Sequence, residues 1–254
     1  MVDYLSYSSV STYLLCPKSW QFRYIDKVAV PTSPNLIFGS AVHAAIEQYV
    51  VANIAGNVGE SAAEIFAADW PERIGREQVA WGTEDAASLA ATGTALLNAP
   101  EVVATIDSLV PLLWHDRLAI EEKVTLRVPG LPIPVIGYID LIAQDGVPCD
   151  LKTASRKWSA DKAREETQPL FYIAALNQAG LPVNWKFRHY VFVKGSKPTV
   201  QVFETTRNAA ETFQLFQQIL DVYQAIKAQA FPCNTSTWKC SPKYCEYWPL
   251  CRGK

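Results

Sequence analysis

The chain has 254 residues, 49% of them hydrophobic, enough to bury a full core within one elaborated domain. Lys+Arg 23 against Asp+Glu 25 leaves a formal net charge of -2, which excludes a basic field over the whole protein and confines any nucleic-acid surface to a local patch. No secretory signal opens the chain and no eighteen consecutive apolar residues occur in it, so it reads as soluble and cytoplasmic, with no membrane partner.

Residues 8–26 carry Ser8 or Ser9 as N-cap candidates and then apolar residues at helical spacing, divided by Pro17 into two short helices. An Ala-rich stretch from Phe38 to about Ala52 has helical period. Helix-forming sequence continues to about residue 118, broken by Gly and Pro at 56, 59, 71, 75, 82, 93 and 100. Strands follow in EEKVTLRV, PVIGYIDLIA and VPCDLKT, then a helix over 168–179, then the strand pair WKFRHYVFV and PTVQVFETT. A long amphipathic segment, NAAETFQLFQQILDVYQAIKAQ, leads into a cysteine-rich tail. This order predicts a single α/β domain over 1–254 with a mixed sheet, in which residues 48–118 are a helical insertion.

The segment GYIDLIAQDGVPCDLKT places Asp140 and Asp150 on two apolar strands, where an uncompensated carboxylate is costly. With Gln144, Asp145 and Gly146 as a three-residue loop and Gly146 left-handed, Asp140 stands opposite Asp150 and the two share a face. Strand period two adds Lys152 to that face and turns Leu151 to the core. Hard oxygen ligands suit Mg²⁺ or Mn²⁺, and Lys152 would orient a water or stabilise charge on a phosphate.

Two helical segments carry further polar pairs. In FGSAVHAAIEQYV, Gly39, His43 and Glu47 are spaced by four, stacking His43 and Glu47 on one helix face. In QPLFY, Gln168 and Tyr172 are likewise four apart, with Pro169 in the first turn. Six cysteines in a reducing compartment are metal ligands or buried thiols before they are disulfides. Cys16 stands alone, Cys149 lies in a strand, and Cys233, Cys240, Cys245 and Cys251 crowd the tail.

In this order, GSAVHAAIE, GYID, CDLKT and QPLFY resemble the RecB-like branch of the PD-(D/E)xK nucleases. The segments LLCPKSWQFRYI and WKCSPKYCEYWPLC resemble the CRISPR-associated and phage-encoded iron–sulfur exonucleases of that branch and the nuclease domain of AddB. The resemblance implies a restriction-endonuclease-like core, metal ligation by His43, Asp140, Asp150 and the Leu151 carbonyl, Lys152 as catalytic lysine, and Gln168 and Tyr172 on the substrate side. It implies a [4Fe–4S] cluster on Cys16, Cys240, Cys245 and Cys251, so that residues 232–254 with Cys16 form a cluster-binding region. Zinc is the competing metal for four thiolates, and Cys233 is a fifth candidate ligand. Glu121 or Glu122 matches a further acidic position.

The expected reaction is metal-dependent exonucleolytic hydrolysis of single-stranded or end-frayed DNA, in recombination, repair or CRISPR adaptation beside a helicase or another partner protein. A structure-specific endonuclease and a non-catalytic DNA-binding iron–sulfur subunit are the alternatives. Lys152, Arg156, Lys157, Lys162 and Arg164, and in the tail Lys239, Lys243, Arg252 and Lys254 with Trp238 and Tyr244, are candidate DNA contacts. Tyr247 and Trp248 are read as packing around the cluster.

Overall fold

The computed structural model describes every residue except Met1, Val58, Pro182 and Lys254. Lys254, a basic tail candidate, thus lies outside the described residues. In chain order the elements begin with strand β1 (Leu5–Ser6) and helices α1 (Tyr7–Leu15) and α2 (Pro17–Trp20), the latter running into a π-helical turn at Gln21–Ile25. Helices α3 (Pro34–Ile54), α4 (Ala62–Gly75), α5 (Ala86–Leu97) and α6 (Pro100–Asp107) follow. Then come β2 (Leu113–Trp114), β3 (Arg117–Leu118), β4 (Ile120–Leu126), β5 (Val135–Ile142) and β6 (Pro148–Ala154). Helices α7 (Ala160–Glu165) and α8 (Gln168–Gln178), strands β7 (Lys186–Val193) and β8 (Thr199–Thr206), and helices α9 (Ala209–Lys227) and α10 (Trp248–Arg252) complete the fold.

Strand β5 organises a mixed six-stranded sheet. Along one edge β4 pairs with it antiparallel, from Ile120↔Leu141 to Leu126↔Val135. The other edge is shared: β1 runs parallel against Val135 and Ile136, while β6 pairs antiparallel only at Leu141↔Cys149 and Ile142↔Pro148. Neither partner pairs with residues 137–140, so the edge forks there. Beyond β6 the sheet continues through parallel β7 to antiparallel β8.

Each face of the sheet buries its own core. On one side α1, α8 and α9 contribute Tyr13, Phe171 and Ile219 against Val135, Ile139 and Phe187. On the other, α3 to α6 contribute Ile46, Phe66, Leu96 and Val102 against Leu141, Leu151 and Phe192. The result is the expected α/β architecture, a mixed sheet between helical layers. Among the described residues no single helix is long and apolar enough to cross a membrane.

Three local expectations are corrected. The N-cap of α1 is Ser6, neither Ser8 nor Ser9; its hydroxyl accepts from the Ser9 N–H and the Ser9 side chain returns the bond, a reciprocal capping box. Residues up to 118 are not helical throughout, because β2 and β3 form a hairpin whose turn residues His115 and Asp116 have φ of 51° and 60°. That is the backbone of a type I′ turn built without the usual glycine, so its sequence signal is weak. Pro71 and Gly93 lie inside α4 and α5 instead of between helices. Gly93 is there for space, since a Cβ would sit 2.2 Å from the Phe66 ring.

Candidate active site

The β5–β6 hairpin brings the two acidic residues together as its loop geometry requires. Gly146 has φ 78° and its N–H donates to the Ala143 carbonyl at 2.8 Å, closing the three-residue loop. The register through Leu141↔Cys149 then places Asp140 level with Asp150. At that level the strands separate, and the Leu151 N–H donates to Asp140 Oδ2 at 2.6 Å, a side-chain bond where a ladder bond would otherwise run. Lys152 Nζ donates to Asp150 Oδ1 at 2.6 Å and to Gln168 Oε1 at 3.1 Å. Gln168 Nε2 in turn donates to the Tyr172 hydroxyl at 3.0 Å, and that hydroxyl donates to the Tyr138 carbonyl. Gly137 makes room for this arrangement, because a Cβ there would lie 2.4 Å from the Phe171 ring.

From α3, His43 reaches the same point, with Nδ1 3.7 Å from Asp140 Oδ2. These residues share one cleft of about 940 Å³ with residues 2–9, Arg23, Tyr24 and Lys27. Burial pushes both carboxyls up to about 6, Asp150 against the pull of Lys152 and Asp140 against that of the Leu151 N–H. Burial also lowers His43 to about 4, so its imidazole is neutral at pH 7 and able to donate a lone pair. Burial works against the Lys152 ammonium too, but the Asp150 carboxylate beside it holds its pKa above the ordinary value.

A divalent cation suits this donor set. Asp150 Oδ2 is buried without a hydrogen-bond partner, an orphaned anionic oxygen of the kind a cation satisfies. Asp140 Oδ2 and Asp150 Oδ1 are engaged by Leu151 and Lys152, and among the described residues no three His, Cys, Asp or Glu side chains already stand in metal-binding geometry.

The family model for the PD-(D/E)XK nuclease superfamily matches residues 4–252. The chain belongs to that superfamily. Nucleases of this kind generally use divalent cations such as Mg²⁺ or Mn²⁺. Among solved structures, this nuclease is similar to a protein from Eubacterium rectale named as a candidate exonuclease. The TM-score is 0.58 at 12% identity, over 94% of this chain and 87% of that one. No protein of curated function matches the sequence.

The nuclease has two further acidic residues beside Asp140, and the hairpin motif alone does not reveal them. Glu47, one turn after His43 on α3, is pushed well above the usual carboxylate range by burial and by the neighbouring Glu121. Its Oε1 is buried without a partner. Glu121 stands level with Asp140 across β4–β5, while Glu122 is buried in an ion pair with Arg117 at 2.6 Å. The backbone distinguishes the two: Glu121 has φ 48° inside a strand. Alternation breaks at this level, with Ile139 in one core and Leu141, two residues on, in the other. A left-handed non-glycine residue costs on the order of 1–3 kcal/mol and is kept only where its surroundings hold it.

Five cysteines of the nuclease, Cys16, Cys233, Cys240, Cys245 and Cys251, line one cavity. The tail is fastened there by bonds from Lys18 N–H to the Pro232 carbonyl at 3.2 Å and from Asn234 Nδ2 to the Leu15 carbonyl at 3.0 Å. Cys233 Sγ and Cys251 Sγ are 3.2 Å apart, so the fifth thiol lies directly against one of the four expected ligands. Tyr247 is buried against Phe22, whereas Trp238 and Tyr244 are exposed. Cys149 is a fully buried thiol pushed up to about 12 by burial, away from this cavity.

Proposed function

We propose that this nuclease is a Mg²⁺- or Mn²⁺-dependent deoxyribonuclease that digests single-stranded or end-frayed DNA from an end, in the cytoplasm, during recombination, repair or CRISPR adaptation. The observation that carries the reading is the convergence of His43, Asp140, Asp150, Lys152, Gln168 and Tyr172 on one cleft. His43, Asp140, Asp150 and the Leu151 carbonyl would hold the cation, which would polarise the phosphate and acidify a bound water. Lys152, fixed by Asp150 and Gln168, places an ammonium where charge develops on the phosphate. The Gln168–Tyr172–Tyr138 chain of hydrogen bonds sets the orientation of Gln168, while burial and the nearby Asp150 and Asp140 carboxylates keep Tyr172 protonated on the substrate side. The exonuclease name of the Eubacterium rectale structure supports this direction of reading.

The same proposal assigns a structural [4Fe–4S] cluster to Cys16, Cys240, Cys245 and Cys251, with Cys233 alongside. What supports it is the gathering of all five thiols from opposite ends of the chain. Purified protein with Mn²⁺ and end-labelled single-stranded DNA should release label, and Asp150→Ala or Lys152→Ala should abolish release. Cleavage of a circular single strand would replace the exonuclease reading by an endonuclease one. Survival of activity in either variant would remove the site.

A further inference from the structure

The basic residues that follow the catalytic strand separate into two groups in the fold. Arg164 is exposed and 3.7 Å from Asp161, on the outer side of α7. Arg156, Lys157 and Lys162 instead line a pocket of about 440 Å³ at the C-terminal end of β6, joined by Lys194 from the end of β7. Lys194 and Asn35 come from distant parts of the chain. Parallel pairing of β6 with β7 brings Lys194 in, its N–H bonded to the Ala154 carbonyl at 2.8 Å.

The pocket is built for an anion with several oxygens. Four cations and the hydroxyls of Thr153 and Ser155 are donors, and no carboxylate lines it. Lys162 is matched by Glu166 at 2.8 Å, and Lys194 by the Asn35 side-chain carbonyl at 2.6 Å. Arg156 and Lys157 form no salt bridge among the described residues. Partial burial lowers the Lys194 pKa, a cost that a bound anion would offset. The wall is rigid, because the Trp158 N–H donates to Gln201 Oε1 at 2.8 Å while Gln201 Nε2 donates back to the Trp158 carbonyl at 3.2 Å.

Position identifies the anion. Lys152, in the catalytic cleft, and Ala154, in the pocket, are two residues apart on one strand, about 7 Å at the usual rise. We propose that this pocket binds the phosphodiester backbone of the single DNA strand next to the bond being cut. It therefore sets where a strand lies relative to Lys152. The proposal rests on the DNA nuclease reading.

The test uses the full-length chain with Arg156→Ala and Lys157→Ala together, and a control pair, Arg76→Ala with Lys227→Ala, that changes net charge equally elsewhere on the surface. Binding of a labelled single-stranded oligonucleotide is measured against salt in EDTA. Hydrolysis of bis(p-nitrophenyl) phosphate, too small to reach the pocket, is measured in Mn²⁺. The expected result is a salt slope shallower by about 1.4 in the pocket pair alone, from roughly 0.7 for each lost phosphate contact, with ester hydrolysis as in the parent. An unchanged slope, or an equal loss in both pairs, overturns the pocket while intact ester hydrolysis keeps the nuclease reading. Absence of Mn²⁺-dependent ester hydrolysis in the parent chain overturns the nuclease reading on which the proposal rests.

Discussion

Replacing Asp140 with asparagine is expected to raise the stability of the fold while abolishing hydrolysis. Burial pushes the Asp140 carboxyl from 3.8 up to about 6, against the opposing pull of the Leu151 N–H and Lys152. A carboxyl whose folded pKa lies above its unfolded value holds its proton more tightly in the fold. Its contribution to stability is therefore complete below the unfolded value, declines as pH rises towards about 6, and is constant above that. The rise corresponds to about 3 kcal/mol of lost stability at pH 8, taken as an upper figure. Asparagine escapes this loss while its side-chain oxygen keeps the 2.6 Å bond from the Leu151 N–H. In a chain of this length 1 kcal/mol moves Tm by about 2–4 °C, so in EDTA at pH 8 the variant should melt above the wild type by up to roughly 6–12 °C. Near pH 4 the two should melt together. Mn²⁺ should raise the wild type alone, by about 2.7 kcal/mol at one hundred times its Kd. Calorimetry at both pH values, with EDTA and with Mn²⁺, reads every arm. An Asp140→Asn chain that melts below the wild type at pH 8 in EDTA, or an equal Mn²⁺ shift in both proteins, would refute the reasoning.

Gly137→Ala should lower Tm, since its Cβ would meet the fully buried Phe171 ring at 2.4 Å, an overpacking cost of about 1–3 kcal/mol; an unchanged melt would show that the ring can move aside. Glu121→Gln should raise the Mn²⁺ concentration needed for half-maximal cleavage about tenfold or more. Glu122→Gln should leave that requirement alone and weaken only the pairing with Arg117, by about 1 kcal/mol. Titrations of both variants decide whether the left-handed residue is the one that serves the cation. For the cysteine cavity, protein isolated without air should be brown and contain iron and sulfide. Colourless protein with one zinc per chain would assign the thiols to zinc instead.

Most of the acidic hairpin was legible because its information is local. A glycine in a three-residue loop fixes the register, and period two fixes the face, so Asp140, Asp150 and Lys152 could be placed from spacing alone. Glu121 could not be separated from Glu122 by the same rule, because the φ of 48° at Glu121 interrupts the alternation on which the rule depends. The two-residue strand β1 carries no period to detect, although it helps create the fork in β5. The β2–β3 hairpin hid behind a His–Asp turn, and the basic pocket draws Lys194 and Asn35 from segments whose meeting depends on tertiary pairing.

The fork in β5 also determines what the cleft is made of. One of its walls is the beginning of the chain, residues 2–9, followed by Arg23, Tyr24 and Lys27 beyond the π-helical turn. That wall reaches the sheet through only two paired residues of β1, and from behind it is braced by the tail, where the Pro232 carbonyl and Asn234 grip α1 and α2 beside the cysteines. The first helices are thus a party wall between two cavities, with Trp20, Arg23 and Tyr24 on the side of the cleft and Cys16, Lys18 and Phe22 on the side of the cysteines.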